Sequence, residues 1–503
     1  MISQWKWVKY MKKNGVLMAI SSLPSPYGIG DLGPSAFAFV DYLAETGVNI
    51  WQILPFNRLG YGNSPYQTFS SIAGDEIFIS IDALVADGYL RANDVSPFAE
   101  DAIRVDYTAV RLFKMKYLRK AFSHFQENFQ LYEHAYLSFL DENPWIYDYS
   151  VFQTLHHAQG DTSWINWSPE YRDWVYHRDM DLSMYAEDIA FNQFLQFVFY
   201  AQWHRLKRYA NAKGIALMGD IPIYVGIDSV DVWANRDYFL LNDRYEPAYV
   251  AGVPPDYFQA EGQRWGNPIY NWDALERDGF GFWMERLGQN QKVFDSIRLD
   301  HFRAFDTYWK IPASEETAVR GEWVEAPGYA FFDKLFEVLP DIKLFVEDLG
   351  YLRPEVFMLR DHYKFMGMEI IQFSFEHENL PTKETQEENK IAYTGTHDNQ
   401  TTLGWFLKQS EAKQEQIRQY LNKLGYEGSI TDQMIQYTLD SHARIAIIPI
   451  WDILGLDDSA RMNTPGTVGS PNWEWKLSDY NLLKEKLKQY AQWLAKYNRT
   501  SQC

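Results

Sequence analysis

The chain has 503 residues and carries 47 Lys and Arg against 67 Asp and Glu, a formal net charge of −20. Nucleic acid and anionic membrane surfaces both require a basic face, so this charge argues against either as a partner. Cys503 is the one cysteine, which excludes an internal disulfide and argues against a thiolate metal site or a cysteine nucleophile. Aromatic residues reach 17 %, a composition that suits packing and stacking on sugars alike.

Neither a membrane span nor a secretory leader is expected. The most apolar short run, 445–451, is far shorter than the ~18 residues that a spanning helix needs. Lysines precede the apolar stretch 16–20, as in a signal peptide, but that stretch is too short and no small-residue cleavage site follows it. We therefore expect a cytoplasmic protein.

Eight short segments rich in large and β-branched apolar residues are predicted to be strands. They cover residues 15–23, 48–55, 214–225, 296–302, 343–350, 367–373, 390–398 and 443–454. Near-continuous apolar character in runs this short is typical of strands buried on both faces, and therefore of a parallel sheet covered by helices.

Helical patterns lie between these segments. One begins at Pro34 and ends at Gly47, another begins at Pro354, and a closing helix is predicted over 481–497. Strands that alternate with helices eight times predict an α/β fold, a (β/α)8 TIM barrel.

The uneven spacing of the strands predicts one barrel, 1–503, with two insertions. Residues 56–190, after the second strand, are expected to form a mainly helical subdomain, and 237–278, rich in Pro, Gly and Tyr, a structured loop region along a substrate groove. About 50 residues follow the eighth strand, too few for an added C-terminal β-sandwich.

A glycine-rich segment, 28–33, fits the G-x-G-x-x-G pattern of dinucleotide-binding loops. The prolines between the preceding strand and these glycines remove the tight turn that such a loop needs. The second strand also ends without an acid to bind a ribose. We interpret this segment as a flexible loop at the mouth of the barrel, and no cofactor is predicted.

Three carboxylates stand at predicted strand ends. Asp300, Glu347 and Asp398 end the fourth, fifth and seventh strands, and in a barrel these ends converge on the face that carries active sites. Arg298 lies two residues before Asp300, on the same side of its strand, where its charge would keep Asp300 ionised. One ionised and one protonated carboxyl are what retaining glycoside chemistry needs.

Longer strings around these residues resemble the amylomaltase family, the 4-α-glucanotransferases of the α-amylase clan. The strings are GNSPYQ at 62–67, GDIPIY at 219–224, GVPPDY at 252–257, WGNP at 265–268, RLDHFR at 298–303, EDLG at 347–350, TGTHD at 394–398 and RMNTPGT at 461–467. The resemblance covers nearly the whole chain. It implies transfer of a segment of an α-1,4-glucan, a maltooligosaccharide, amylose or a starch-type glucan, to the 4-hydroxyl of another glucan or of glucose.

The resemblance also implies roles for the strand-end residues. Asp300 would be the nucleophile, Glu347 the general acid and base, and Asp398 a ligand of the sugar that stabilises the transition state. Arg298 would orient Asp300, while His397 and His301 would hydrogen-bond sugar hydroxyls. The carboxyl groups of Asp300 and Glu347 should then lie about 5–5.5 Å apart.

Four further residues are candidates for substrate binding. Tyr66 and Trp265 resemble groove residues whose rings pack on a glucose face. Asn463 follows the eighth strand. Asp220 ends the third strand, and there a structural role, as a hydrogen-bonded residue at the rim of the barrel, is as compatible with the sequence as a role in substrate binding. His156 and His157 are adjacent, a spacing that does not favour a metal site, so no metal is predicted.

Two positions depart from the family pattern, and two other functions stay open. Trp451 stands where Gln is expected, which could alter a sugar contact, and Asn63 stands where Asp is frequent. The same carboxylates would also serve an α-glucan hydrolase, in which water intercepts the intermediate. A non-catalytic glucan-binding protein is the third alternative, but the chain keeps the acids that such a protein would be expected to lose.

Overall fold

The computed structural model describes residues 12–98, 103–255, 260–377, 380–382 and 386–500. Most of the lysine-rich start, the end of the GVPPDY string at Asp256 and Tyr257, and Cys503 lie outside these ranges. Within them, no helix combines the length and apolar character needed to cross a membrane.

Two sheets are present in the described part of the chain. The strands are β1 (Lys13–Leu17), β2 (Ile50–Gln52), β3 (Ala216–Ile221), β4 (Tyr249–Val253), β5 (Gln263–Pro268), β6 (Ser296–Leu299), β7 (Thr307–Pro312), β8 (Glu322–Glu325), β9 (Leu344–Val346), β10 (Gly367–Ile370), β11 (Lys390–Tyr393) and β12 (Ile445–Pro449). The larger sheet is parallel, in the order β10-β11-β12-β1-β2-β3-β6-β9. Its eight described strands fall inside the eight predicted segments, apart from the first two residues of β1.

The large sheet closes on itself. A parallel bridge joins Phe345 of β9 to Met366 beside β10, and the Val346 N–H donates to the Met366 carbonyl over 3.0 Å. All five residues of β12 are buried, as expected for a strand covered on both faces. The predicted TIM barrel is therefore confirmed.

Helices alternate with the barrel strands and fill the long connections. They are α1 (Pro34–Thr46), α2 (Ile81–Ala86), α3 (Tyr107–Glu127), α4 (Phe129–Glu142), α5 (Trp145–Ala158), α6 (Pro169–Arg172), α7 (Trp174–His177), α8 (Ala186–Ala212), α9 (Val230–Ala234), α10 (Trp272–Arg277), α11 (Gly281–Val293), α12 (Gly328–Val338), α13 (Pro354–His362), α14 (Ile371–Glu376), α15 (Thr402–Leu407), α16 (Glu411–Lys423), α17 (Ile430–Asp440), α18 (Ile450–Ile453) and α19 (Asn481–Lys496). The helices predicted from Pro34, Pro354 and residue 481 are all present. Gly47 ends α1 in the left-handed conformation, with φ of 83°, which glycine adopts without steric cost.

The connection between β2 and β3 contains α2 to α8. Aromatic side chains hold these helices together, with Phe125 of α3 packed 4.9 Å from Phe194 of α8 and 5.1 Å from Tyr136 of α4, measured between ring centroids. The long helix α8 also packs on α1 and β3, so it returns the chain to the barrel. Its buried aromatic residues belong to the same hydrophobic core as the barrel strands.

A small antiparallel sheet above the barrel was not predicted. Its order is β5-β4-β7-β8, so it joins two strands from the 237–278 region to two strands that follow β6. The sequence pattern predicted only a structured loop here, because the region 237–278 as a whole is rich in Pro, Gly and Tyr. β4 pairs with β5 on one side and, on the other side, with β7, which lies about 60 residues further along the chain.

Two sequence features prove to be packing features. The glycine-rich segment 28–33 is buried rather than a loose loop, and a side chain at Gly30 would overlap the Ile20 carbonyl. Trp451 is 2 % exposed and packs edge-on against Trp475, with ring centroids 5.9 Å apart. It is therefore a core residue in this structure.

Candidate active site

The three predicted carboxylates lie at the carboxyl ends of barrel strands. Asp300 directly follows β6, Glu347 directly follows β9, and Asp398 lies in the loop after β11. Because β6 and β9 are hydrogen-bonded neighbours, Asp300 and Glu347 start side by side. The exposed fractions of the three side chains are 22 %, 20 % and 41 %, so a ligand in the barrel mouth can reach each of them.

Arg298 neutralises the acids of this face. Its Nη1 donates to both carboxylate oxygens of Asp220, at 2.7 and 2.6 Å, because β3 and β6 pair with these two residues opposite each other. Its Nη2 contacts Glu347 at 2.9 Å and Asp300 at 3.2 Å. One buried guanidinium thus serves three carboxylates, and Asp220, which is 2 % exposed, takes the two shortest contacts.

Asp300 and Glu347 form a coupled pair with opposite pKa shifts. Burial and the charge of Glu347 raise the pKa of Asp300 well above its ordinary value. Burial also acts to raise the pKa of Glu347, but the charge of Arg298 and hydrogen bonds from Asp300 and from the His301 N–H outweigh it and lower that pKa. The proton shared by the pair therefore lies on Asp300, in contrast to the expectation that Arg298 keeps Asp300 ionised.

A hydrogen bond between the two carboxyl groups contributes to both pKa shifts, and the expected separation of about 5–5.5 Å between them stays a prediction. The shared Arg298 Nη2 draws both carboxyls toward one point. Two carboxyls this close cannot both be ionised at low cost, which is why one of them retains a proton.

His301 belongs to the Glu347 side of the site. It adopts a left-handed backbone, with φ of 48°, and its N–H donates to Glu347 Oε2 at 2.8 Å. Burial lowers the pKa of His301 to about 4, so its imidazole is neutral near pH 7. The Trp265 ring stands perpendicular to the imidazole, with centroids 4.9 Å apart.

Asp398 has a different set of partners. The Asn463 side-chain amide donates to its Oδ1 at 2.7 Å, and His397 Nε2 lies 3.4 Å from its Oδ2. Burial acts to raise the pKa of Asp398, but His397, Asn463 and the charge of Arg298 lower it strongly. Arg461 fixes the loop by donating to the backbone carbonyls of Asp398 and Asn463. Asp398 is therefore ionised throughout the neutral range.

Tyr66 connects the two halves of the site. Its hydroxyl donates to Asp220 Oδ2 at 2.7 Å and lies 2.9 Å from His397 Nε2. Because a carboxylate only accepts, the Tyr66 oxygen must accept from His397, which assigns the imidazole proton to Nε2. The two rings stack at 5.3 Å, and Trp473 packs against both.

All ten predicted site residues lie in one network of direct contacts. They are Tyr66, Asp220, Trp265, Arg298, Asp300, His301, Glu347, His397, Asp398 and Asn463. Gln67 connects the GNSPYQ motif to the WGNP motif, because its side-chain amide donates to Asn267 Oδ1 at 2.8 Å and to the Trp265 carbonyl at 3.3 Å. The arrangement offers a nucleophile, a proton carrier and an ionised acid within one open cleft.

Sequence reasoning missed two supports of the site. Asp452, which is 1 % exposed, accepts hydrogen bonds from Thr394 and Thr402 and so anchors both ends of the loop that carries Asp398. Trp473 covers Tyr66 and His397. The sequence places Trp473 only ten residues after Asn463, which is the one indication that it lies near the site. Nothing in the local sequence pattern distinguishes it from a tryptophan of the core.

Among the described residues, no group of three or more His, Cys, Asp or Glu side chains is placed to hold a metal ion. The acids of the cleft instead receive the guanidinium of Arg298.

Comparisons with known proteins agree on one family. The sequence profile described as 4-alpha-glucanotransferase matches residues 18–483. A 4-alpha-glucanotransferase of Thermus thermophilus is 42 % identical over 474 residues, 92 % of this chain and 94 % of that protein. One from Synechocystis is 41 % identical over 478 residues, covering 92 % and 93 %. The solved amylomaltase of Streptococcus agalactiae in complex with acarbose superposes with a TM-score of 0.92 at 34 % identity, covering 97 % of this chain and all of that one.

Proposed function

The chain belongs to the 4-alpha-glucanotransferase family, and from that membership we propose that Asp300, Glu347 and Asp398 carry out its reaction. The enzyme transfers α-1,4-glucan segments through a covalent glycosyl-enzyme. The observation that carries the residue assignment is the contact of Arg298 with both Asp300 and Glu347 at the ends of neighbouring strands.

In the first step, a carboxylate oxygen of Asp300 attacks the anomeric carbon of a donor glucosyl unit. The bond from that carbon to the leaving 4-oxygen breaks, and Glu347 gives its proton to the departing oxygen. Asp300 must therefore be ionised and Glu347 protonated. The hydrogen bond between the two carboxyls provides the path by which the shared proton passes from Asp300 to Glu347.

In the second step, the 4-hydroxyl of an acceptor sugar gives its proton to Glu347 and its oxygen attacks the anomeric carbon. The ester bond to Asp300 breaks, and the carboxylate is restored. Two inversions give net retention of the α-linkage. Because Glu347 handles the proton of both the leaving and the entering oxygen, those sugars bind on its side of the cleft.

Asp398 supplies fixed negative charge beside the donor sugar. Its low pKa keeps it ionised while positive charge develops on the sugar ring in the transition state. Asn463 and His397 hold the carboxylate in place through the hydrogen bonds described above. Preorganised charge of this kind needs no reorientation during the reaction.

The remaining site residues bind and orient the sugars. We assign Tyr66, His397 and Asn463 to the donor sugar, and His301 with Trp265 to the sugar on the Glu347 side. Arg298 and Asp220 act through the acids that they contact. The neutral imidazole of His301 can exchange hydrogen bonds with a hydroxyl group without adding charge.

The substrate range is proposed from the same relatives. Donors are maltooligosaccharides and longer glucans such as amylose, and acceptors are other glucans or glucose. We place this chemistry in the cytoplasm, in keeping with the near absence of cysteine. No nucleic acid, membrane surface or cofactor enters the proposal.

The decisive test is incubation with pure maltotriose, followed by chromatography and a count of reducing ends. Transfer yields glucose with maltopentaose and longer chains at a constant number of reducing ends. A rising number of reducing ends without longer chains would identify a hydrolase. The Asp300→Asn variant should lose turnover by several orders of magnitude, because it removes the nucleophile.

A further inference from the structure

A second group of aromatic side chains lies beside the cleft, outside the ten-residue network. We call Trp323 of β8 and Tyr351, in the loop after β9, the rim aromatics. Their exposed fractions are 38 % and 90 %. Side chains of this type are usually more buried, and both of these stand on segments that follow the strands of Asp300 and Glu347.

Arg303 holds the rim aromatics together. Its guanidinium carbon lies 3.7 Å from the centroid of the Trp323 ring, and its Nη1 donates to the Tyr351 carbonyl. Arg303 is only 8 % exposed, so it supports the two residues from below. It also follows Asp300 by three residues, and Tyr351 follows Glu347 by four, so the rim aromatics are joined through short segments to two of the cleft acids.

Trp323 is also fixed from the side. Its cross-strand partner Trp309 packs against it with ring centroids 5.1 Å apart, and the Trp309 Nε1 is tied to the Ala318 carbonyl at 2.9 Å. A cation over one face and a tryptophan beside it hold the indole in one orientation. An aromatic ring that is both held and exposed loses little entropy when it binds a ligand.

We propose that the rim aromatics bind the acceptor glucan, stacking on glucose units that lie beyond the one next to Glu347. This inference rests on the proposed function, which places the acceptor on the Glu347 side. Aromatic rings pack on the apolar faces of sugars while the hydroxyls stay free to hydrogen-bond. Long acceptors would reach Trp323 and Tyr351, and a single glucose would not.

The experiment separates the donor step from the acceptor step. With α-maltotriosyl fluoride as donor, the initial burst of fluoride reports formation of the glycosyl-enzyme, and turnover against acceptor concentration gives the acceptor KM. For Trp323→Ala we expect the KM for maltopentaose to rise about 5–10-fold, while the KM for glucose changes less than about 2-fold. The fluoride burst should be unchanged. Trp323→Phe should restore most of the loss.

Tyr351→Ala provides a second variant with little risk to folding, since that side chain is 90 % exposed. Tyr147→Ala is the matched control, because Tyr147 is 45 % exposed on α5, in the connection between β2 and β3. Equal KM changes for both acceptors would overturn the proposal, as would no change for either. Altered oligomerisation of Trp323→Ala with an unchanged KM would identify a docking face for a second copy instead. A wild-type enzyme that releases fluoride from this donor without forming longer glucans would contradict the proposed function itself.

Discussion

The Asp300–Glu347 pair and Asp398 are acids of one cleft with opposite electrostatic surroundings. In the pair, two carboxyls share one guanidinium nitrogen and a proton, and the pKa of Asp300 is raised by burial and by repulsion from Glu347. Asp398 faces His397 and Asn463, without another carboxylate against it among the described contacts, and its pKa is lowered.

The comparison shows how one cleft supports proton transfer and fixed charge together. A carboxyl group that lies beside another carboxyl group retains a proton, which it can transfer. A carboxyl group that is surrounded by hydrogen-bond donors stays ionised. Arg298 contributes to both environments, since its charge acts on the pair directly and on Asp398 at longer range. The distances between the acids, rather than their residue types, therefore decide their roles.

The largest effect is expected from Glu347→Gln, which removes the movable proton and leaves Asp398 unchanged. Turnover of maltotriose should fall by about 10³-fold, because general acid and base catalysis is lost. The fluoride burst from α-maltotriosyl fluoride should be nearly unaffected, since fluoride leaves without protonation. Glu337→Gln, at a surface glutamate whose side chain is 69 % exposed, is the control. Equal losses with both donors would contradict the acid role.

Arg298→Lys tests the shared cation. A lysine keeps the charge but cannot contact Asp220, Asp300 and Glu347 at once, so we expect a loss of about 100-fold in kcat/KM. Poorer neutralisation should raise the pKa values of the Asp300–Glu347 pair, because the charge of Arg298 lowers both, so the pH profile should move to higher pH. Arg205→Lys, at a half-exposed surface pair, is the control. An unshifted profile would mean that Arg298 only holds the strands together.

Asp452→Asn extends the comparison to a buried acid whose hydrogen-bond donors are neutral. Burial raises the pKa of Asp452 to about 6, against the hydrogen bonds from Thr394 and Thr402. The folded state therefore binds a proton between about pH 4 and 6 that the unfolded state has lost, and stability falls as pH rises through this window.

The free energy of unfolding of Asp452→Asn relative to the wild type should rise by about 2–3 kcal/mol between pH 4 and pH 7. Urea unfolding at several pH values measures this difference. Asp188→Asn, at a surface acid whose side chain is 48 % exposed, provides the control. A difference that does not vary with pH would show that Asp452 keeps an ordinary titration.

The smallest loss of activity is expected when a hydrogen-bond partner of Asp398 is removed. Asn463→Ala removes the 2.7 Å hydrogen bond to Asp398 Oδ1 but leaves His397 in place. Loss of one hydrogen bond to a charged group should reduce kcat/KM by about 10-fold. The fluoride burst should slow by the same factor, because the donor step is affected. A change confined to the acceptor KM would place Asn463 on the wrong side of the cleft.

Sequence periodicity and strand-end chemistry predicted the barrel and the residues that meet at its mouth. Each barrel strand is a short apolar run, and parallel strands in a closed sheet bring their carboxyl ends together. The acids after β6, β9 and β11 therefore converge whatever fills the connections. The small antiparallel sheet was missed because the Pro- and Gly-rich region around β4 and β5 is typical of a loop, and the sheet forms only when β4 pairs with β5 and with the distant β7.

By itself, the sequence determined the fold class, the three strand-end acids and the resemblance that joins them to a family. Only the tertiary structure decided that Arg298 makes its shortest contacts with Asp220, that the shared proton lies on Asp300, and that Trp323 stays exposed while Trp451 is buried. Periodicity records which side of a strand is buried. Charge sharing and exposure depend on distances of a few ångströms between residues far apart in the chain, and those are set when the barrel closes.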